Sequence, residues 1–335
     1  MCSRKSCIFL VSDSIEHMNT GKAALQNDYT VITISSGEKL FEVLEDIKPD
    51  LILLDADMPD ISGYGVIKKM KSNQETSDIP VIFLADKNGI NDELLGLSLG
   101  AVDYIFKPFS QPLLLKRVKL QLQMQDIAAT QTEIIKWAAE AIEFRDRETG
   151  QHIERMKQYL MLLVEEMKKN DSYAAEVAGW DVNAFLDSTL LHDVGKIRIR
   201  DEILLKPSPL TDDELSDIRH HPSYGKTLIE KLETIASDQN LLKYAKVLAH
   251  RHHERWDGTG YPDRLKGDEI PLQARMMSLA DVYDALISER PYKNAMPHED
   301  AMKIISEGRG TQFDPVLTDL FLGLSGSIRE ITEQT

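Results

Sequence analysis

Residues 252–262 read HHERWDGTGYP, and residues 190–196 read LLHDVGK. The two stretches supply adjacent imidazoles, a His-Asp pair and a glycine-rich turn. Imidazole nitrogens are common ligands of divalent metals, and a carboxylate can bridge two ions. Glycines allow the backbone to approach such a site closely. Together the two stretches predict a metal-assisted hydrolase.

Histidines are concentrated in the part of the chain that contains both stretches. Seven of the nine lie between residues 152 and 253, and only His17 and His298 fall outside. A single histidine is more often a hydrogen-bonded core or surface residue than a ligand. A cluster of this kind favours ligands, with His220 and His250 the members best explained as structural residues.

The candidate donors come from at least five segments. Glu148 and His152 are four residues apart, so on a helix they share one face. The others are His192 and Asp193 at the end of an apolar run, His221, the neighbours His252 and His253, and Asp281 in a helical pattern. Donors so scattered converge only when helices stack around a common centre, so we predict an all-α bundle with a metal centre in its core.

From about residue 145 to 325 the chain resembles the HD-GYP family, a branch of the HD phosphohydrolases that hydrolyses the bacterial second messenger cyclic di-GMP. A lone His-Asp doublet would be a weak signal, but here seven blocks occur in family order. They are ETGQHIERM (148–156), LLHDVGKI (190–197), KPSPLTDDE (206–214), HHPSYG (220–225), HHERWDGTGYPDRLKGDEIPLQAR (252–275), ADVYDALISERPYK (280–293) and GTQFDP (310–315). The resemblance implies hydrolysis of cyclic di-GMP to linear pGpG, GMP or both.

The resemblance also implies a ligand set. It assigns the metals to Glu148, His152, His192, Asp193, His221, His252, His253 and Asp281. Asp193 would bridge two metals, and the presence of Glu148 favours a trinuclear over a dinuclear centre. Iron is the expected metal and manganese a substitute, although such donors suit several first-row ions.

Three cations are predicted to contact the substrate. Lys196, one turn after the doublet, matches the family's phosphate contact and is expected to take part in catalysis, whereas Arg290 and Lys293 lie in ERPYK. The net charge of −16 argues against binding of a nucleic-acid polymer, because that affinity depends on clustered Lys and Arg. Two alternatives stay open: hydrolysis of another cyclic dinucleotide, and a catalytically silent sensor of cyclic di-GMP.

The first third of the chain has a different pattern. Five short apolar runs alternate with amphipathic helical stretches, the rhythm of a doubly wound parallel α/β sheet. The runs are CIFLV (7–11), YTVITI (29–34), DLILLD (50–55), IPVIFLA (79–85) and VDYIF (102–106). Functional residues are therefore expected at the carboxyl ends of these strands.

Residues 5–122 resemble the receiver domain of response regulators. Asp55 occupies the phosphoacceptor position, and Lys107 and Tyr104 match the family's lysine and switch aromatic. The resemblance implies a sensor histidine kinase as a partner. Two positions depart from the family: the acidic pair that holds Mg²⁺ is reduced to Ser12-Asp13, and Ala85 replaces the hydroxyl residue that couples phosphorylation to the switch. The resemblance implies Mg²⁺ binding by Asp13 and Asp55 with one carboxylate fewer than usual, and the domain is either a weak receiver or a dimerisation module.

An unbroken helical pattern runs from Gln111 to Arg145, with an intermittent apolar stripe. We predict a continuous helix that pairs with a second chain, although the receiver's own last helix would also explain its beginning. The expected domains are a receiver (1–122), a linker helix (123–145) and an HD-GYP domain (146–335).

Composition sets the remaining bounds. With 42% hydrophobic and 28% charged residues, the chain is typical of soluble globular proteins. Cys2 and Cys7 have no metal-type or redox-type spacing, and the amino terminus has no long apolar run. A cytoplasmic protein without membrane association is expected.

Overall fold

The computed structural model describes residues 5–73, 75–86, 90–145, 150–236, 238–288 and 295–334. Contacts divide the chain into two compact units, residues 1–127 and 128–335. Each unit has hydrophobic clusters of its own, so each is described by itself. Among the described helices, none combines the length and the apolarity needed to cross a membrane.

The first unit contains one parallel sheet of five strands in the order β2-β1-β3-β4-β5. The strands are β1 (Cys7–Val11), β2 (Thr30–Ile34), β3 (Leu51–Asp55), β4 (Val81–Ala85) and β5 (Asp103–Phe106). The helices are α1 (Ile15–Leu25), α2 (Gly37–Asp46), α3 (Gly63–Lys71), α4 (Ile90–Ser98) and α5 (Gln111–Arg145). This confirms the predicted doubly wound receiver fold, and the strands coincide with the five apolar runs.

Both faces of this sheet are buried, as in parallel sheets covered by helices. Along β1, Cys7, Phe9 and Val11 belong to one hydrophobic cluster. The alternate residues Ile8 and Leu10 belong to a second cluster. Continuous apolar strands are therefore required, and polar groups gather at the strand ends.

Helix α5 has the bounds that the sequence pattern predicts. Its early residues Leu114, Val118 and Leu122 pack in the core of the first unit, as a receiver's last helix does. Its late residues Ala139 and Ile142 belong to a core of the second unit. The predicted apolar stripe is therefore divided between burial in the two cores and exposure to solvent.

The regular elements described in the second unit are helices, which confirms the predicted all-α domain. After α5 its helices are α6 (Gly150–Met167), α7 (Ala174–Val177), α8 (Val182–Ser188), α9 (Asp201–Leu204), α10 (Asp212–Ile218), α11 (His221–Glu233), α12 (Gln239–Arg251), α13 (Leu272–Ile287), α14 (His298–Glu307), α15 (Pro315–Gly323) and α16 (Ser325–Gln334). Short 3₁₀ turns cover Thr189–Leu191 and Val194–Arg198. The fully buried rings of Tyr159, Tyr283 and Phe321 pack between α6, α13 and α15 and hold this end of the bundle together.

Candidate metal centre

Asp193 is the carboxylate around which the histidines gather. Its Oδ2 atom lies 3.2 Å from Nε2 of His192. Its Oδ1 atom lies 3.0 Å from Nε2 of His221 and 3.5 Å from Nε2 of His252. All four side chains are buried, with at most 5% of each residue exposed. Three separate segments therefore direct the same ring nitrogen at one carboxylate.

The other nitrogen of each ring explains this orientation. Nδ1 of each of the three histidines lies 2.7–2.8 Å from a main-chain carbonyl oxygen. The acceptors are Thr189 for His192, Ile218 for His221 and Leu248 for His252. A carbonyl oxygen only accepts hydrogen bonds, so Nδ1 carries a proton and Nε2 is the nitrogen left to bind a metal.

The Nε2 atoms of His221 and His252 lie only 3.4 Å apart. In the form that binds metals, with the only ring proton on Nδ1, these two rings would bring two lone pairs together at this point. A divalent cation bound by both rings would satisfy them. The donor set thus fits a metal ion by its chemistry as well as by its residue types.

His152 is oriented by a carboxylate instead of a carbonyl. Its Nδ1 lies 2.7 Å from Oδ2 of Asp284. Arg155 donates from Nε to Oδ1 of the same carboxylate at 2.6 Å and from Nη2 to Oδ2 at 2.8 Å. Burial opposes ionisation of Asp284, but Arg155 and His152 outweigh it and hold its pKa below the ordinary value. Such carboxylate–histidine pairs fix the ring of a metal ligand. Asp284 lies one turn after Asp281, and the sequence did not predict that it would orient the ring of His152.

The predicted ligands fall into two compact groups. Within each group the ligand atoms all lie within 4.8 Å of one another. The groups are Asp193, His221, His252 and His253, and His152, His192 and Asp281. They contain seven of the eight predicted ligands, and the eighth, Glu148, lies outside the described residues. A third group joins Glu143 to His192 and Asp193, and the sequence did not predict it.

Burial also prepares two rings for metal binding. It lowers the pKa of His252 and, more strongly, that of His253. Both rings are therefore neutral at neutral pH, which is the form that binds metals. For His192 burial acts in the same direction, but the adjacent Asp193 carboxylate outweighs it and raises the pKa to about 10. The Asp193 carboxylate therefore strongly favours positive charge at the His192 ring.

Lys196 lies at the same carboxylate. Its Nζ is 2.5 Å from Oδ2 of Asp193, and 15% of its side chain is exposed. Burial raises the pKa of Asp193, but Lys196, His192 and His221 outweigh it and hold that pKa well below the ordinary value. The other two predicted substrate contacts, Arg290 and Lys293, lie outside the described residues.

Gly195 allows the Asp193 and His221 segments to meet. A Cβ atom on Gly195 would overlap the carbonyl oxygen of His221 and lie 2.5 Å from the nitrogen of Gly225. The 3₁₀ turn Val194–Arg198 therefore packs backbone to backbone against α11. This contact places the Asp193 carboxylate beside the ring at the start of α11.

The carboxylate of Glu254 fixes the loop that follows His253. Glu254 is 2% exposed, and its carboxylate accepts hydrogen bonds from the main-chain N–H groups of Asp263, Arg264 and Leu265 at 2.7–3.1 Å. The ring of Tyr261 then packs against that of His253, with centroids 4.8 Å apart. The expected turn-rich loop is present, and the sequence did not predict the role of Glu254.

The remaining two histidines of the cluster lie apart from the centre. His220 is exposed, and its Nδ1 donates to the carbonyl oxygen of Ser216 at 2.7 Å. His250 is 8% exposed, and its Nδ1 lies 3.5 Å from Oδ2 of Asp263. Both positions agree with the structural roles predicted for them.

The first unit carries a second polar site, at the carboxyl end of β3. Asp55 is 1% exposed, and its Oδ1 accepts from Nζ of Lys107 at 2.9 Å. Its Oδ2 accepts from Oγ of Ser12 at 2.8 Å and lies 3.5 Å from Nδ1 of His17. Burial lowers the pKa of Lys107, but the hydrogen bond to Asp55 outweighs it and raises that pKa overall. The sequence did not predict that His17 reaches this site.

The two predicted departures also lie at this edge. Ser12 is fully buried and donates a hydrogen bond to Oδ2 of Asp55, whereas Asp13 is exposed. Ala85 ends β4 and offers no hydroxyl group. Tyr104 is 5% exposed, packs on Phe83 and donates a hydrogen bond to Tyr64 at 3.1 Å. Among the described residues, the three candidate metal groups all belong to the second unit.

Comparison with known proteins gives the same division. The response regulator receiver domain matches residues 8–119, and the HD domain matches residues 139–317. A Vibrio cholerae protein named "Probable cyclic di-GMP phosphodiesterase" is 43% identical over 94% of this chain and 77% of its own length. The "Cyclic di-GMP phosphodiesterase response regulator RpfG" of Xanthomonas campestris is 32% identical over 85% of this chain and 78% of its own. The "3'3'-cGAMP-specific phosphodiesterase 2" of V. cholerae is 36% identical over 59% of this chain and 36% of its own.

Fold and site thus define a receiver domain joined to a helical domain that gathers metal-ligand side chains around a buried aspartate. The chain belongs to the HD-domain family and, within it, to the response regulators that carry a receiver in front of the HD domain.

Proposed function

We propose that this protein is a metal-dependent phosphodiesterase that hydrolyses cyclic di-GMP to linear pGpG, GMP or both. The observation that carries the proposal is the set of three buried rings that direct Nε2 at Asp193 while the main chain holds Nδ1. Two curated relatives that the chain covers over more than three quarters of their length are named for the same substrate.

The proposed centre is dinuclear or trinuclear. Its ligands would be Glu148, His152, His192, Asp193, His221, His252, His253 and Asp281. Asp193 would bridge, because each of its oxygens faces a different ring. Iron, with manganese as a substitute, suits a mixed set of imidazoles and carboxylates.

When bound, closely spaced metals lower the pKa of a water ligand toward about 7 and offset the charge of an attacked phosphodiester. The chain's own residues supply position and charge. Lys196, held on Asp193, would contact a substrate phosphate and so act beside the reacting bond. Arg290 and Lys293 are proposed as further phosphate contacts on the strength of the sequence alone. Local cations are needed, because the chain's net charge of −16 repels an anionic dinucleotide.

A related substrate is the second candidate. One relative is named for 3'3'-cGAMP, a different cyclic dinucleotide. The groups described around Asp193 would bind metals and phosphates, and both cyclic dinucleotides carry the same phosphates. A silent sensor is the weaker alternative, because a sensor has no need of a histidine cluster held in the orientation of metal ligands.

Chromatography of the products tests the proposal. Protein purified without oxygen should convert cyclic di-GMP to pGpG or GMP, and Asp193→Asn should abolish conversion while the helical circular-dichroism signal is kept. Equal amounts of cyclic di-GMP and 3'3'-cGAMP in one reaction identify the preferred substrate. Unchanged hydrolysis by Asp193→Asn would contradict the proposal, and preference for 3'3'-cGAMP would select the second candidate.

For the first unit we propose that Asp55 accepts a phosphoryl group from a sensor histidine kinase. Mg²⁺ bound by Asp13 and Asp55 would assist, with Lys107 and Tyr104 in their family roles. We keep the predicted domains 1–122, 123–145 and 146–335, and a cytoplasmic location, as parts of this proposal.

The linker helix is proposed to pair with a second copy of the chain. Leu113, Leu120, Ile127 and Ile134 recur every seven residues along α5 and are 45%, 50%, 60% and 59% exposed. Apolar residues at a seven-residue spacing form the seam of paired helices. Light scattering should give the mass of a dimer, and Ile127→Lys combined with Ile134→Lys should reduce it to that of a monomer.

A further inference from the structure

Glu143, near the end of α5, belongs to the cluster of metal-ligand side chains. A carboxylate oxygen of Glu143, a ring nitrogen of His192 and a carboxylate oxygen of Asp193 all lie within 4.8 Å of one another. Glu143 is 5% exposed, so this carboxylate is held inside the protein. Neither the sequence motifs nor the predicted ligand set includes it.

The burial of Glu143 follows from the face of α5 on which it lies. Ala139 and Ile142 are 2% and 9% exposed and pack in a hydrophobic cluster with Leu190 and Leu191. Glu143 comes one turn after Ala139, on the same face of the helix. The packing that buries Ala139 and Ile142 therefore carries the Glu143 carboxylate to the turn that contains His192.

The charges around this point favour a bound cation. Burying an ionised carboxylate is costly unless a cation or hydrogen-bond donors compensate it. The three candidate metal groups contain the carboxylates of Glu143, Asp193 and Asp281. Lys196 pairs with one of them, Asp193. Divalent cations bound among these carboxylates would be stabilised by their negative charge.

We propose that Glu143 is a further carboxylate ligand of the metal centre, at the ion that His192 and Asp193 hold. This inference rests on the metal dependence proposed above and is independent of which dinucleotide is cleaved. It adds a ligand from α5 to a set that otherwise comes from later segments. Metal binding and the packing of the end of α5 in the second unit would then depend on each other.

The test compares two glutamates on α5, one turn apart. Glu143→Gln keeps the size of the side chain and removes its charge, and Glu140→Gln makes the same change at an exposed position. Elemental analysis of protein purified without oxygen should find about one metal ion fewer per chain in Glu143→Gln than in wild type. Glu140→Gln should match wild type.

A second readout separates a ligand from a merely structural residue. Removing the metals with a chelator lowers the melting temperature of wild type, because the ions bind the folded state. That difference between metal-loaded and metal-free protein should be smaller in Glu143→Gln. A structural role would lower both melting temperatures and leave their difference unchanged.

Wild-type metal content together with a wild-type melting difference in Glu143→Gln would overturn the proposal, as would a variant that is destabilised equally with and without metals. Neither readout uses the substrate. If wild type binds its metals and fails to hydrolyse cyclic di-GMP, the proposed substrate is wrong and the Glu143 test is unaffected.

Discussion

The main chain determines which ring nitrogen of the central histidines is available to bind a metal. Helix carbonyls and the ends of short turns hold Nδ1 of His192, His221 and His252, and this decides which nitrogen faces Asp193. The main chain also holds Nδ1 of His220, but this ring is exposed and lies apart from Asp193. Adjacent histidines in the chain therefore give a direct comparison.

We expect His221→Asn to lose metal and to reduce hydrolysis more than about a hundredfold, since even residues that only support a metal ligand cost tenfold to a hundredfold. His220→Asn alters the neighbouring exposed ring and should leave metal content and turnover near wild type. Elemental analysis and product chromatography on both variants check this. A similar loss in the two variants would show that the assignment of His221 is wrong.

The sequence pointed to the histidines that the structure brings together, and it did not point to several carboxylates that lie beside them. The family resemblance assigned the ligand role to His221 rather than to its neighbour His220. Glu143, Glu254 and Asp284 lie in ordinary helical or loop contexts, and a glutamate on a helix is usually exposed. Their roles depend on burial by distant segments, which no local pattern encodes.

Among the secondary-structure elements, the contact between the 3₁₀ turn Val194–Arg198 and α11 matters most for the site. Gly195 permits it, because any side chain there would meet the backbone of His221 and Gly225. The glycine in LLHDVGK thus serves packing, and the metal geometry depends on that packing.

We expect Gly195→Ala to separate these segments, at a cost of roughly 1–3 kcal/mol in stability from overpacking, and to lower metal content. Gly326→Ala is the control, since a Cβ atom there meets nothing within 4 Å. Urea unfolding followed by circular dichroism and elemental analysis measure the two effects. Normal metal content in Gly195→Ala would contradict this account of the close contact.

Asp187 on α8 joins three helices of the second unit. It accepts hydrogen bonds from Lys136 on α5 and Lys157 on α6 at 2.7 and 2.8 Å. Burial raises its pKa, but the two lysines outweigh this and hold that pKa below its ordinary value of 3.8. A lowered carboxylate pKa stabilises the fold above pH 3.8, and this stabilisation is lost as the pH falls through the folded-state pKa.

Asp187→Asn should therefore be less stable than wild type at pH 7, by about 0.5–1 kcal/mol for partly exposed ion pairs. The difference should shrink as the pH falls below about 4. Urea midpoints measured at several pH values check the trend. Glu133→Gln is the control, because Glu133 pairs with the same Lys136 at 3.6 Å but is 74% exposed. A difference independent of pH would argue against the ion pairs as its cause.

The predicted strands agreed with the structure because each is a short continuous apolar run, and α5 agreed because no Gly or Pro interrupts its helical pattern after Pro112. The partners of α5 were less predictable. Its stripe contains Val118 and Leu122, which pack in the first unit, and Ile127 and Ile134, which are exposed. Periodicity shows which residues share a face of the helix. It does not show whether that face packs inside the same domain or against another molecule.

In the whole molecule, the proposed regulation by the first unit requires that this unit can switch between two states. Both oxygens of Asp55 already accept hydrogen bonds, and Ala85 offers no hydroxyl to a bound phosphoryl group. A ligand shifts a conformational equilibrium only by its differential affinity for the two states. The receiver lacks one of the contacts that create this difference.

We therefore expect beryllofluoride with Mg²⁺ to change hydrolysis by less than about threefold, or under roughly 1 kcal/mol of coupling. Turnover of wild type and of Asp55→Ala, each with and without the mimic, measures this. Strong activation of wild type that is lost in Asp55→Ala would show that the receiver switches without the missing hydroxyl.

The central claim is that the buried side chains around Asp193 form a multinuclear metal centre. Elemental analysis of wild-type protein purified without oxygen tests it most directly. Two or three ions per chain are expected for a set of eight ligands in which Asp193 bridges. A content near one ion per chain would contradict the multinuclear centre and the hydrolytic function that depends on it.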